Sequence, residues 1–169
     1  TAFAGRDTAS PVVRVQYRVA NPGARTRSVR LCLASRPFQV NPPWQNIGLA
    51  GGTAKIHRIE QLPSSCWVNG RLILRTWPAA TRAGAQTLDQ GEITDLLRQG
   101  RIPAASTAAD RNGFASGVMA YDLEIPAGGE RTVVIDVPLR SSRNLRPVDL
   151  PAAGEVPPPM APPGPSPGP

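Results

Sequence analysis

From Val12 onward the chain alternates apolar and polar side chains. Val13, Val15, Tyr17 and Val19 are separated by Arg14, Gln16 and Arg18, the period of two that gives a strand one buried face and one wet face. Asn21-Pro22-Gly23 then supplies turn chemistry, and Val29, Leu31 and Leu33 resume the alternation. Proline fixes φ and glycine accepts positive φ, so the two runs are expected to form an antiparallel pair. Met119, Tyr121, Leu123 and Ile125 repeat the pattern, and Pro126-Ala127-Gly128-Gly129 leads into Val133, Ile135, Val137 and Leu139, a second expected hairpin.

The central stretch is less regular. Ile56 to Leu62 and Leu72 to Trp77 read as strands, the latter entered from Cys66-Trp67-Val68 through Asn69-Gly70, a turn pair suited to a tight hairpin. One helix interrupts the strands. Asp89 is placed to cap it, Glu92 follows three residues later as in a capping box, Ile93, Leu96 and Leu97 form an apolar stripe, and Gly100 ends it. About six or seven strands at this spacing predict an all-β fold, an antiparallel β-sandwich with one short helix. Tyr17, Leu31, Leu123 and Ile135 are the expected core residues.

Past Arg140 the alternation stops. Of the 20 prolines, nine fall from Pro151 to the end, where almost no apolar residue accompanies them. Such a segment can neither donate ladder hydrogen bonds nor bury enough surface to offset its ordering entropy, so a disordered Pro-rich tail is expected. The organisation read from the sequence is a lead-in over 1–11, a β-sandwich domain over 12–140 and a linker or tail over 141–169. Thr1-Ala2-Phe3-Ala4-Gly5-Arg6 carries neither an initiator methionine nor a signal-peptide pattern and reads as mid-protein.

Net charge of +7 raises the question of a nucleic-acid partner, because clustered cations gain from counterion release on phosphates. Here the arginines recur singly from Arg14 through Arg36, Lys55 is the one lysine, and an Arg-rich solvated surface is expected instead. No apolar stretch approaches the length of about 20 residues that spans a bilayer. The sequence does not fix the compartment; a periplasmic or extracellular one is favoured. Cys32 and Cys66 are too few for a disulfide framework and lack metal-ligand spacing, leaving either two core thiols or one bridge between facing strands.

Catalytic signatures are missing from the sequence. His57 is the only histidine, and Gly113-Phe114-Ala115-Ser116-Gly117 has the wrong spacing for a nucleophile elbow, so it reads as a loop into the next strand. Gly48-Leu49-Ala50-Gly51-Gly52 lacks a P-loop lysine. Asp122 and Glu124 share a strand face, yet no further polar residues converge on them, and solvated surface charges are expected. No cofactor and no metal are expected. The most unusual segment is Arg36-Pro37-Phe38-Gln39-Val40-Asn41-Pro42-Pro43-Trp44-Gln45. Its prolines fix a loop, and its aromatics and planar polar groups suit either packing against a neighbouring domain or stacking on a sugar face. Arg36, Asn41, Trp44 and Gln45 are the candidate site residues.

That segment, continued by Gly51-Gly52-Thr53-Ala54-Lys55-Ile56, by Asp89-Gln90-Gly91-Glu92-Ile93 and by Phe114-Ala115-Ser116-Gly117-Val118-Met119-Ala120-Tyr121-Asp122-Leu123, resembles an inner portion of large bacterial proteins that pair discoidin-like domains with a six-hairpin glycosidase-like toroid. The resemblance spans roughly Val12 to Leu139. It implies a sandwich of the supersandwich sort that braces a helical catalytic toroid, with the catalytic acids lying in the toroid and none in this chain. The expectation is therefore a non-catalytic accessory module of a carbohydrate-active protein, partnered by a neighbouring domain or by glycan. The alternative is an immunoglobulin-like structural spacer or adhesion module.

Overall fold

A computed structural model describes residues 2–5, 12–40 and 52–139. The strands are β1 (Ala2–Gly5), β2 (Val12–Ala20), β3 (Arg27–Ser35), β4 (Phe38–Val40), β5 (Gly52–Ala54), β6 (Arg58–Leu62), β7 (Ser65–Val68), β8 (Arg71–Trp77), β9 (Arg82–Gln86), β10 (Thr107–Ala109), β11 (Ser116–Ile125) and β12 (Glu130–Pro138), with helix α1 over Ile93–Arg98. A seven-stranded sheet runs β1-β2-β12-β8-β7-β6-β10, a three-stranded sheet runs β3-β11-β9, and β4 pairs with β5. Every strand pairing is antiparallel. The all-β sandwich with one short helix is thus the architecture of the described residues. The segment read as a lead-in supplies β1, which pairs with β2. The Pro-rich tail lies outside the described residues.

The core forms where the two sheets face each other. Ile59, Cys66 and Val133 of the large sheet pack with Ala85, Met119 and Tyr121 of the small one. Burying such side chains contributes roughly 1.5–3 kcal/mol each before chain entropy is subtracted. Tyr121 and Thr76, both buried, also join the sheets by a 2.6 Å hydrogen bond between Oη and Oγ1. Helix α1 lies against β3 and β11, with Ile93 buried. No helix among the described residues is long and apolar enough to cross a membrane.

Both hairpins expected at the ends of the domain are absent. β2 pairs with β12 over its whole length, and β3 pairs with β11, so each turn carries the chain from one sheet to the other. Buried Asn21 pins the two crossings together. Its side-chain amide donates to the carbonyls of Arg25 at 2.8 Å, Ile125 at 2.9 Å and Pro126 at 3.1 Å, while its backbone N–H donates to Gly129 at 2.9 Å. Turn residues dictate a reversal, but long-range pairing decides which sheet each arm joins. The Asn69-Gly70 hairpin does form, with both residues at positive φ, 51° and 75°, as a type I′ turn requires.

Three further expectations need correction. Tyr17 is 41% exposed, because the seven-stranded sheet is wider than its three-stranded cover and β2 extends beyond it. Ile135 is buried, whereas Leu31 and Leu123 are partly buried against the core. Arg14, placed on the wet face by the alternation, is buried, its Nε and Nη2 donating to the two carboxylate oxygens of Asp136 at 2.7 and 2.8 Å. The helix start also differs: Leu88–Gln90 forms a separate 3-10 turn capped by Thr87, and Glu92 rather than Asp89 caps α1. Asp89 cannot cap α1 because that turn and Gly91, at φ 109°, intervene.

Register also breaks once inside the large sheet. Cys66 faces Leu74 but Trp67 faces Leu72, leaving Ile73 as the extra residue of a bulge that lets Ile73 and Leu74 both pack on the core.

Candidate functional site

Where β3 ends, the chain turns through Arg36 and Pro37 beside the 3-10 turn and the start of α1. These elements, with the loop before β11, enclose a cavity of about 260 Å³ lined by Arg36, Pro37, Leu88, Glu92, Phe114 and Ser116. Two of the lining side chains are large, apolar and exposed, Leu88 at 48% and Phe114 at 38%. An exposed pair of this kind around a concavity marks a contact surface more often than a lone surface residue does.

Each wall has a local cause. Glu92 caps α1 by accepting from the Thr94 N–H at 3.0 Å and from its hydroxyl, which leaves the other carboxylate oxygen free to take Arg36 Nη1 at 3.0 Å. The Thr94 hydroxyl first, then its N–H and Arg36, outweigh desolvation and hold the Glu92 carboxyl below its ordinary value. Gln86 donates to the carbonyl of Gly91 at 2.7 Å, tying the end of β9 to this turn.

The opposite wall hangs on Asp110. Desolvation pushes its carboxyl upward, but the backbone N–H groups of Phe114, Asn112, Leu88 and Gly113 outweigh that and hold it below the usual carboxylate range. Its carboxylate accepts the Asn112 N–H at 2.8 Å and its carbonyl accepts the Gly113 N–H at 3.1 Å, which pins the turn leading into Phe114. Gly113 sits at φ 84°, and a Cβ there would meet Lys55 Cβ at 2.7 Å. The loop also forms a parallel bridge to Ile56, whose N–H donates to Gly113 O at 2.9 Å and whose carbonyl accepts from Ala115 at 3.1 Å. Phe114 is thus presented on an anchored backbone, although its side chain faces solvent.

Of the four candidate residues read from the sequence, Arg36 lies on the rim of this cavity. Asn41, Trp44 and Gln45 lie outside the described residues. Leu88, Glu92 and Phe114 were not among the candidates. Glu92 was read as the capping-box partner of Asp89 rather than as the cap it is, and as cap it keeps a second carboxylate oxygen for a cation; nothing local marks Leu88 or Phe114 as neighbours of Arg36.

The chemistry elsewhere is quiet. Asp122 takes Arg30 Nε at 2.5 Å and Arg82 Nη2 at 3.1 Å, so this exposed carboxylate bridges β3 and β9. The two cysteines are free thiols. Burial pushes the Cys66 thiol up to about 12 against a hydrogen bond to Ser35, and burial likewise raises Cys32, so both are held as neutral thiols. Among the described residues no three His, Cys, Asp or Glu side chains converge as metal ligands.

No protein-family model, no curated protein and no solved structure matches this chain.

Proposed function

We propose that this chain is a non-catalytic accessory β-sandwich module of a carbohydrate-active, glycosidase-like protein, bracing a helical toroid through the cavity beside Arg36. The carbohydrate setting comes from the sequence resemblance. The bracing role is carried by one observation: Leu88 and Phe114, exposed and apolar, line the same concavity as the Arg36–Glu92 ion pair. Docking of a neighbouring domain covers such a rim and desolvates the ion pair together with its flanking apolar groups.

Direct glycan contact is the second reading, supported by the aromatic face of Phe114 next to a guanidinium. Arg36 is already engaged by Glu92, which leaves less donor capacity for hydroxyls and favours docking. Calorimetric titration of the chain with an oligosaccharide panel separates the two. The docking reading expects no heat of binding, together with burial of Phe114 when the flanking segments of the same polypeptide are present. Saturable binding lost in Phe114→Ala favours glycan contact; hydrogen exchange around Phe114 that is unaltered by the flanking segments, with no glycan bound, refutes both.

A further inference from the structure

β3 is a nine-residue strand at the edge of the small sheet. Among the described residues no strand pairs with its second side. Its register with β11 is continuous from Arg27 opposite Ile125 to Ser35 opposite Gly117, and it contains no proline. In an antiparallel ladder alternate residues turn their N–H and C=O away from the paired neighbour, so β3 offers a row of backbone donors and acceptors on its open side.

The interior next to that edge is uncovered as well. Val29 stands opposite Leu123 and Tyr17 opposite Val133; Val133 belongs to the buried core and Leu123 packs against it. Val29 and Tyr17 therefore point toward the inside of the sandwich, yet they are 37% and 41% exposed. An extra strand beside β3 is the element that would cover them.

Charge says what kind of strand fits. Residues 25–36 hold four arginines, Arg25, Arg27, Arg30 and Arg36, and no acid. Arg30 is met by Asp122 and Arg36 by Glu92, while among the described residues no carboxylate meets Arg25 or Arg27. The unopposed cations thus gather where β3 begins. A second copy of this chain would bring its own arginines to the same edge, so like charge disfavours self-pairing.

We propose that the open edge of β3 takes an extended strand from a partner protein, added antiparallel, with alternate β-branched residues over Tyr17 and Val29 and carboxylates at its C-terminal end against Arg25 and Arg27. Main-chain hydrogen bonds supply affinity in this mode, and side chains at alternate positions supply selectivity. The residues this mode calls on, Arg25, Arg27 and Val29, lie at the opposite end of β3 from the Arg36 cavity, and the proposal does not depend on the function assigned to that cavity.

The test titrates the isotopically labelled 169-residue chain with an acetylated peptide of alternating valine and threonine ending in two aspartates, read by amide shifts and hydrogen exchange. Saturable shifts and slowed exchange at alternate residues of β3 are expected. The same peptide ending in two lysines binds more weakly, and Arg27→Glu or Arg25→Glu weakens the aspartate peptide by about fivefold, the scale of one exposed ion pair, while favouring the lysine peptide. Both arginines are exposed, and an unchanged amide spectrum shows that each variant is folded. No saturable shift at millimolar peptide, indifference to both charge reversals, or self-association through β3 in sedimentation overturns the proposal.

Discussion

Tyr121→Phe removes one oxygen from the centre of the sandwich and almost no volume. In the native chain that hydroxyl sits 2.6 Å from Thr76 Oγ1 and 3.8 Å from Met119 Sδ, and both Tyr121 and Thr76 are 1% exposed. After the substitution the threonine hydroxyl is buried without its partner. Leaving a buried polar group unsatisfied costs roughly 1–3 kcal/mol, whereas replacing both partners by apolar groups of the same shape can be nearly neutral. Thr76→Val is the mirror perturbation, because it strands the tyrosine hydroxyl. Each single variant should therefore lose about 1–3 kcal/mol, and the double variant should lose less than their sum by about 1 kcal/mol or more, the signature of residues in direct contact. Urea unfolding followed by tryptophan fluorescence measures all four corners of the cycle, provided the m-value stays constant. If the single losses add to within about 0.5 kcal/mol, or if Tyr121→Phe is as stable as the wild type, the bond does not join the sheets as argued.

Two further outcomes follow from buried groups. Burial pushes Cys66 and Tyr121 up to about 12, whereas unfolded thiols and phenols ionise near about 8.5 and 10; both groups therefore contribute fully below those values, and their contribution is lost as pH rises through about 12. The urea midpoint should be flat to about pH 8 and then fall by an amount worth about 1.4 kcal/mol per pH unit for each proton released, with Cys66→Ala removing the earliest part of the fall; a midpoint constant to pH 11 contradicts this. Asp136→Ala removes the carboxylate facing Arg14 in a pair whose side chains are only 9% and 11% exposed, so a loss of about 3 kcal/mol is expected in the same unfolding assay, and a loss no larger than that of the exposed Asp122→Ala would show that the pair is solvated.

The strands were legible because alternation is a local property, and β2, β3, β11 and β12 stand where Val13, Leu31, Leu123 and Ile135 place them. Their partners were not. Asn21-Pro22-Gly23 and Pro126-Ala127-Gly128-Gly129 encode reversals equally compatible with a hairpin or a crossing between sheets, and the choice rests on Asn21 reaching Ile125, over a hundred positions away in the chain. Tyr17 was misplaced for a related reason: its alternation is correct, but the width of the covering sheet is written nowhere near it. Arg14 shows the converse failure, since a polar residue in an alternating strand reads as solvated unless its carboxylate partner on β12 is known. At the candidate site, Arg36 was legible from its Pro-rich surroundings, while Leu88 and Phe114 reach it only through the packing of the 3-10 turn and the loop before β11.

The unequal sheets also give a role to the arginines where β3 begins. A seven-stranded sheet under a three-stranded cover leaves Tyr17 and Val29 exposed beside β3, whose second side no strand among the described residues pairs, an arrangement that invites edge-to-edge aggregation. Arg25 and Arg27 lie where β3 begins, and charge along an edge is one of the devices that suppresses association of like chains. The device is selective, because the repulsion that keeps two copies apart becomes attraction toward a strand carrying carboxylates. Protection and recognition then rest on the same side chains: charge reversal at Arg27 alone should weaken the acidic peptide, whereas self-association through β3 should need Arg25 reversed with it.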